Sequence, residues 1–287
     1  MGIPSRMVAT ADVLALRGVI RSIVLIPSTC VPPGAVLLTM AGGEQASALR
    51  PLQFSLVSSE LCLMRRIVSF TWNHTDAFGS IVPATHVQTL PSYFEMNWIK
   101  WHLISTALRE ARVVFFADAD TLLMRNPFTA SAEVAAYAST STTASCSAAT
   151  PKLFHQWEGP GSNPLNGGQL LTCHCSRAAI LDVLTAQPSS DDEAFKTRLD
   201  QEIAYEALWK AGHKLSQLPV QSFGGNCWWP KGWSPTAPWA PPWCDLITFH
   251  AHCTGTLREK IERMRLVLSE VRGCHPHPTL ARPSLVS

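Results

Sequence analysis

Asp118 and Asp120 stand one residue apart at the end of the most apolar run in the chain, Val113-Val114-Phe115-Phe116. Two carboxylates at the end of a buried strand suit a hard divalent cation that leaves its other ligand places to waters and phosphate oxygens. The triplet alone is weak evidence, since nine aspartates in 287 residues give about 0.3 chance occurrences of Asp-x-Asp per chain of this composition. Its flanks raise it above chance. A continuous apolar run closed by Asn126-Pro127 reads as a central parallel strand, and open α/β sheets bind ligands beyond the carboxyl ends of such strands. In the rival reading both carboxylates are turn or cap residues.

Other chemically capable groups lie around this pair. Asn166-Gly167-Gly168 joins an amide that can hold a hydroxyl to two glycines that allow close backbone approach, or it is simply a turn. Asp200-Gln201 lies in a helical pattern. Lys100 is one helix ahead of the aspartates, and Lys260 sits on a charged helix; either could meet a phosphate or be a solvated lysine. His250 is either a metal ligand or a satisfied buried histidine.

The elements that must position these groups alternate strand and helix. Ala35 to Ala41 reads as a first core strand bounded by Pro-Pro-Gly and Gly-Gly, and Arg66 to Trp72 as a second. Helical spacing runs through Gln45 to Leu63, with Pro51 limiting its first turn, and through Ser92 to Arg109. Val134 to Ala138 is expected as a strand, Gln169 to Thr172 as another, and Ser176 to Ala186 as a helix. Asp192 to Ala211 reads as one helix with Phe195, Leu199, Ile203 and Leu208 inward, and Thr256 to Val271 as a closing helix. This alternation predicts an α/β fold with a parallel sheet.

Composition excludes several classes. With 46% hydrophobic and 15% charged residues, against a usual charged share of about 25%, the chain can bury a core. A net charge of +2 with no basic run disfavours nucleic acid as a partner. The apolar stretch Leu14 to Pro27 holds Arg17 and Arg21 and falls short of the roughly 20 residues of a spanning helix; a membrane anchor is conceivable there but not evident. Nine cysteines are an odd number, so one thiol at least stays unpaired within the chain. Five tryptophans, Trp228, Trp229, Trp233, Trp239 and Trp243, crowd an irregular proline-rich loop. That loop is a sugar-stacking platform or lid, or a small loop core pinned by a Cys227–Cys244 disulfide.

Taken in order, Trp98-Ile99-Lys100, Leu108, VVFFADADTLLMRNPF at 113–128, Asn166-Gly167-Gly168, Asp200-Gln201 and FHAHCTGTLREK at 249–260 resemble the nucleotide-diphospho-sugar transferases of GT-A fold. The resemblance covers roughly residues 35 to 265. It implies a single α/β domain, a Rossmann-type, mostly parallel sheet flanked by helices, over 35–272, with an N-terminal segment 1–34 and a loose tail 273–287. It also implies a glycosyltransferase that moves a sugar from a nucleotide-diphosphate donor to a glycan or glycoprotein acceptor, mostly with retention. Asp118, Asp120 and His250 would hold Mn²⁺ or Mg²⁺. Lys100, Asp118, Asn166, Gly167, Gly168 and Lys260 would bind the donor, and Asp200 and Gln201 would act beside its sugar. A Golgi or other secretory-lumen location goes with this family, where the sequon at Asn73 would matter. Three rivals remain: a phosphatase with a nucleophilic first aspartate, disfavoured by Leu122 where Thr or Val is wanted; a structural zinc site from Cys173-His174-Cys175 and His250-x-His252-Cys253; and a carbohydrate-binding protein with a decayed transferase site.

Overall fold

A computed structural model of the chain describes residues 10–25, 28–41, 43–55, 61–64, 66–71, 74–76, 93–140, 151–157, 165–189, 191–225, 243–254 and 256–274. Its strands are β1 (Ala35–Ala41), β2 (Ile67–Thr71), β3 (His74–Asp76), β4 (Val113–Asp118), β5 (Thr121–Leu123), β6 (Leu153–Gln156), β7 (Asn166–Cys173), β8 (Leu215–Gln217), β9 (Phe223–Gly225) and β10 (Thr248–His250). Its helices are α1 (Thr10–Leu25), α2 (Gly43–Gln53), α3 (Leu61–Met64), α4 (Tyr93–Ala107), α5 (Pro127–Ala130), α6 (Ala132–Thr140), α7 (Arg177–Thr185), α8 (Glu193–Thr197), α9 (Asp200–Lys210) and α10 (Leu257–Cys274).

Seven strands form the main sheet in the order β3-β2-β1-β4-β7-β6-β8. The pairings make β2, β1, β4, β6 and β8 run one way, with β3 and β7 reversed, so the sheet is mostly parallel. The unbroken apolar run of β4 follows from cover on both faces. Val114 and Phe116 join one core with Trp101 and Ile104 of α4 and Ile180 of α7, while Val113 and Phe115 join the other with Phe128, Val134 and Tyr137. Leu16, Ile20 and Ile23 of α1 are buried in the first of these cores.

A second, three-stranded sheet, β5-β10-β9, stands at the carboxyl end of β4. β10 lies antiparallel to β5 and parallel to β9. Its apolar residues Leu122 and Phe249 pack on Met264, Val267 and Leu268 of α10. This small sheet is what carries the chain from the aspartates back to the histidine.

Several expected elements take a different form. Gln45 to Leu63 is interrupted: α2 ends at Gln53, a turn follows, and α3 is a separate single turn. Val134 to Ala138 is helical in α6, not a strand, because Ser131 Oγ accepts from the Val134 amide at 3.3 Å and starts a run of good helix formers. Asp192 to Ala211 breaks into α8 and α9 at Arg198 and Leu199, both extended. The break puts Asp200 in the first turn of α9, where a carboxylate faces the positive end of the helix. Asn166-Gly167-Gly168 is not a turn but the start of β7, buried throughout.

Cysteine pairing also departs from expectation. Cys244 is bonded to Cys274, joining the segment before β10 to the end of α10, so the Cys227–Cys244 pairing does not form. Cys30 is bonded to Cys62. Cys175 and Cys253 are disulfide-bonded too, which removes two thiolates from the proposed zinc set. Among the described residues the free thiol is Cys173, buried and accepting from the Tyr137 hydroxyl at 3.1 Å. Of the tryptophans in the loop only Trp243 is among the described residues, where it begins a short 3₁₀ turn; Asn73, the acceptor of the sequon, lies outside them, while His74 and Thr75 stand in β3.

Candidate active site

β4 delivers Asp118 as its last residue, and the chain turns through Ala119 and Asp120 into β5. Pairing of Thr121 with His250, and an Ala251 amide donating to the Asp120 carbonyl at 2.8 Å, bring the imidazole back over the aspartates. His250 Nε2 lies 3.2 Å from Asp120 Oδ1 and 3.9 Å from Asp118 Oδ2. One ligand atom from each of the three residues lies within 4.8 Å of the others. Two carboxylate oxygens and an imidazole nitrogen form a donor set that fits Mn²⁺ or Mg²⁺.

The two aspartates differ. The Asp118 side chain is 27% exposed and that of Asp120 only 8%. Burial raises the Asp118 carboxyl above the usual carboxylate range; Lys100 pulls the other way, and the Asp120 charge adds to the rise. Burial pushes against ionisation of Asp120 as well, but His250 and Lys260 outweigh it and hold this carboxyl well below the usual range. Lys260 reaches down from α10 and ion-pairs with Asp120 Oδ2. An entering cation would share Asp120 with that ammonium.

Across the cavity stands a second charged pair. Lys100 Nζ lies 3.0 Å from Asp200 Oδ2, both side chains almost wholly buried, and Trp101 Nε1 donates to the same oxygen at 2.7 Å. Consecutive residues of α4 thus grip the first turn of α9. The two glycines explain how these groups fit. A Cβ at Gly167 would lie 2.5 Å from Lys100 Nζ, and one at Gly168 would overlap the His250 ring. Gly167 and Gly168 are therefore needed for side chains to pass over the backbone, not for a turn conformation. Asn166 Oδ1 accepts from the Gly168 amide at 2.7 Å, and Gln201 Oε1 from the Gly167 amide at 3.1 Å.

These groups line one cavity of about 370 Å³. Of the site residues expected from sequence, Lys100, Asp118, Asp120, Asn166, Gly168, Asp200, Gln201, His250 and Lys260 face it, and Gly167 lies immediately behind. Lys100 and Lys260 are not solvated lysines: each is paired with a carboxylate. Sequence reading missed Trp101, whose helical spacing marked it only as core. It placed His252 only in the rival zinc set, whereas its ring stacks on His250 with centroids 4.5 Å apart. Burial, and then the neighbouring His250 charge, push the His252 imidazole down to about 3.

The family model described as nucleotide-diphospho-sugar transferase matches residues 60–264. No curated protein sequence matches the chain significantly. Among solved structures, a glycosyltransferase involved in glycosylation of the major capsid of the virus PBCV-1 is similar, with 14% identity, 81% of this chain and 100% of that chain covered and a TM-score of 0.50. The galactosyltransferase LgtC, solved with donor and acceptor sugar analogues, aligns with 12% identity over 82% of this chain and 95% of that one, at a TM-score of 0.42. The first of these similarities concerns the GT-A fold, which the mostly parallel sheet and flanking helices share.

Proposed function

The chain belongs to the nucleotide-diphospho-sugar transferase family, and from that premise we propose a metal-dependent transfer of a sugar from a nucleoside diphosphate to a glycan or glycoprotein hydroxyl. The observation that carries the reading is the meeting of Asp118, Asp120 and His250 in one cavity with Asp200. Mn²⁺ or Mg²⁺ held by the first three would neutralise the negative charge that grows on a departing diphosphate. Lys260 adds a positive charge at the same place. Asp200 is suited to orient the donor sugar's hydroxyls and to balance positive charge at the anomeric carbon, because Lys100 and Trp101 hold it in place through Oδ2. Gln201 spends its oxygen on the Gly167 amide of β7, so its amide NH₂ group is the end suited to donate to a sugar. Retention of anomeric configuration is the stereochemistry the resemblance implies. The disulfides support a secretory-lumen location, since such bonds persist in oxidising compartments.

Titration calorimetry with a nucleoside diphosphate, with and without Mn²⁺, tests the metal. Binding should require the cation, and Asp120→Ala should remove that requirement and most of the affinity. Unchanged Mn²⁺-stimulated donor hydrolysis by Asp120→Ala would sink the metal reading. Absence of any hydrolysis by the native chain would favour a binding protein, and proton NMR of the released sugar reads the anomer.

A further inference from the structure

His250 is held from behind by an amide that does not line the cavity. Gln156, the last residue of β6, is 1% exposed, and its Oε1 lies 2.8 Å from His250 Nδ1 while its Nε2 donates to the Gly224 carbonyl at 2.7 Å. A carbonyl oxygen only accepts, so the Gly224 contact fixes which end of the amide is NH₂. The end left facing His250 is then an oxygen, which also only accepts. The hydrogen between them must sit on Nδ1.

The surroundings hold this orientation. The β6–β7 register shifts between His155 and Gln156, a bulge of the kind that re-aims a side chain. A Cβ at Gly225 would collide with Gln156 Nε2 and with His252 Cε1, so the glycine there admits the amide. Gln169 of β7 sends its own Nε2 to the Gly224 carbonyl at 3.3 Å and accepts from the Thr248 hydroxyl, two residues before His250. Two buried amides from the main sheet thus anchor both ends of β10.

We propose that Gln156 is a positioning residue: clamped on Gly224, it keeps the Nδ1 proton of His250 on its own side and so leaves Nε2 as the nitrogen that would give its lone pair to a cation shared with Asp118 and Asp120. The proposal rests on the metal reading of the same three residues. Ligating histidines depend on such a partner, and its loss costs about 10- to 100-fold in metal affinity.

Mn²⁺ affinity of the full-length chain, measured by calorimetry without donor, tests it. Gln156→Leu should weaken binding about 10- to 100-fold, while Gln156→Glu, which as a buried neutral acid can donate to the Gly224 carbonyl and still accept from Nδ1, should stay within a few-fold of native. Native affinity in Gln156→Leu, or an equal loss in both variants, overturns the positioning role while leaving the metal site standing. If the native chain binds no Mn²⁺, the metal reading falls and takes this role with it. Long-range ¹⁵N–¹H NMR of the native, Mg²⁺-saturated protein needs no variant and guards against one that does not fold. It should show a protonated Nδ1 in His250, and an unprotonated Nδ1 refutes the proposal.

Discussion

At the scale of single residues, Asp200 shows how the structure changes what a substitution reports. Asp200→Asn keeps the shape and removes the charge, which should lower turnover by about 100-fold, or about 2.7 kcal/mol in the transition state. It also leaves Lys100 buried without its counter-charge, and breaking a buried pair from one side costs about 3–5 kcal/mol of stability. The two effects separate in a cycle with Lys100→Met. Asp200→Asn/Lys100→Met should recover much of the lost stability in chemical denaturation yet none of the turnover. Recovery of turnover together with stability would show that Asp200 acts only through folding. Charge-removal at Asp200 was foreseeable from sequence, but the identity of its partner was not, because Lys100 and Asp200 lie far apart in the chain and no local spacing links them.

At the scale of elements, local chemistry was readable where one periodicity ruled. β4, α4 and α10 carry unmixed patterns, and their expected positions agree with the structure within a few residues. The failures come where tertiary contacts overrode a pattern. The apolar face from Phe195 to Leu208 fits one helix, yet the grip of Lys100 and Trp101 on Asp200 goes with a break just before it. Asn-Gly-Gly has turn chemistry, and only the His250 ring lying over Gly168 reveals that the glycines serve close approach. That contact makes Gly168→Ala a sharp probe of the element. An added methyl must displace the imidazole, so Mn²⁺ affinity should fall at least tenfold, while the buried strand itself should keep its far-ultraviolet circular dichroism. Unaltered affinity would mean that β10 can shift without opening the metal set.

Across the whole molecule, the order Asp-x-Asp, Asn-Gly-Gly, Asp-Gln, His was visible in the sequence, but the covalent frame was not. Cysteine spacing does not determine pairing, and the bond from Cys244 to Cys274 joins segments that only the fold brings together. Mass spectrometry of native protein after thiol alkylation should find Cys30–Cys62 and Cys244–Cys274 as linked peptides, with Cys173 labelled only after unfolding, since it is buried. Finding all of these thiols alkylated before reduction would remove the oxidised frame and the support it gives to a secretory location.

Buried imidazoles set how the whole molecule responds to acid. The His252 pKa is pushed from 6.5 down to about 3, first by burial and then by the His250 charge. Burial lowers His102 and His155 as well. Between pH 6.5 and 3 the unfolded chain therefore binds a proton at residue 252 that the folded chain refuses. More protons on the unfolded side mean that stability rises with pH, so it is full above about 6.5 and drains as pH falls, at about 1.4 kcal/mol per unit for one such group. The raised Asp118 carboxyl acts with the opposite sign, taking up its proton earlier in the folded state. A comparison between variants removes that offset. Denaturant unfolding in EDTA at pH 7.5, 6.5 and 5.5 should show native stability falling toward acid, and His252→Asn, which keeps a donor for the His250 carbonyl, should show a slope shallower by about half a proton over this range, approaching one proton at its acid end. Parallel slopes for the two proteins would mean that the His252 ring takes up its proton in the folded state after all, and that the stack on His250 opens to let it in.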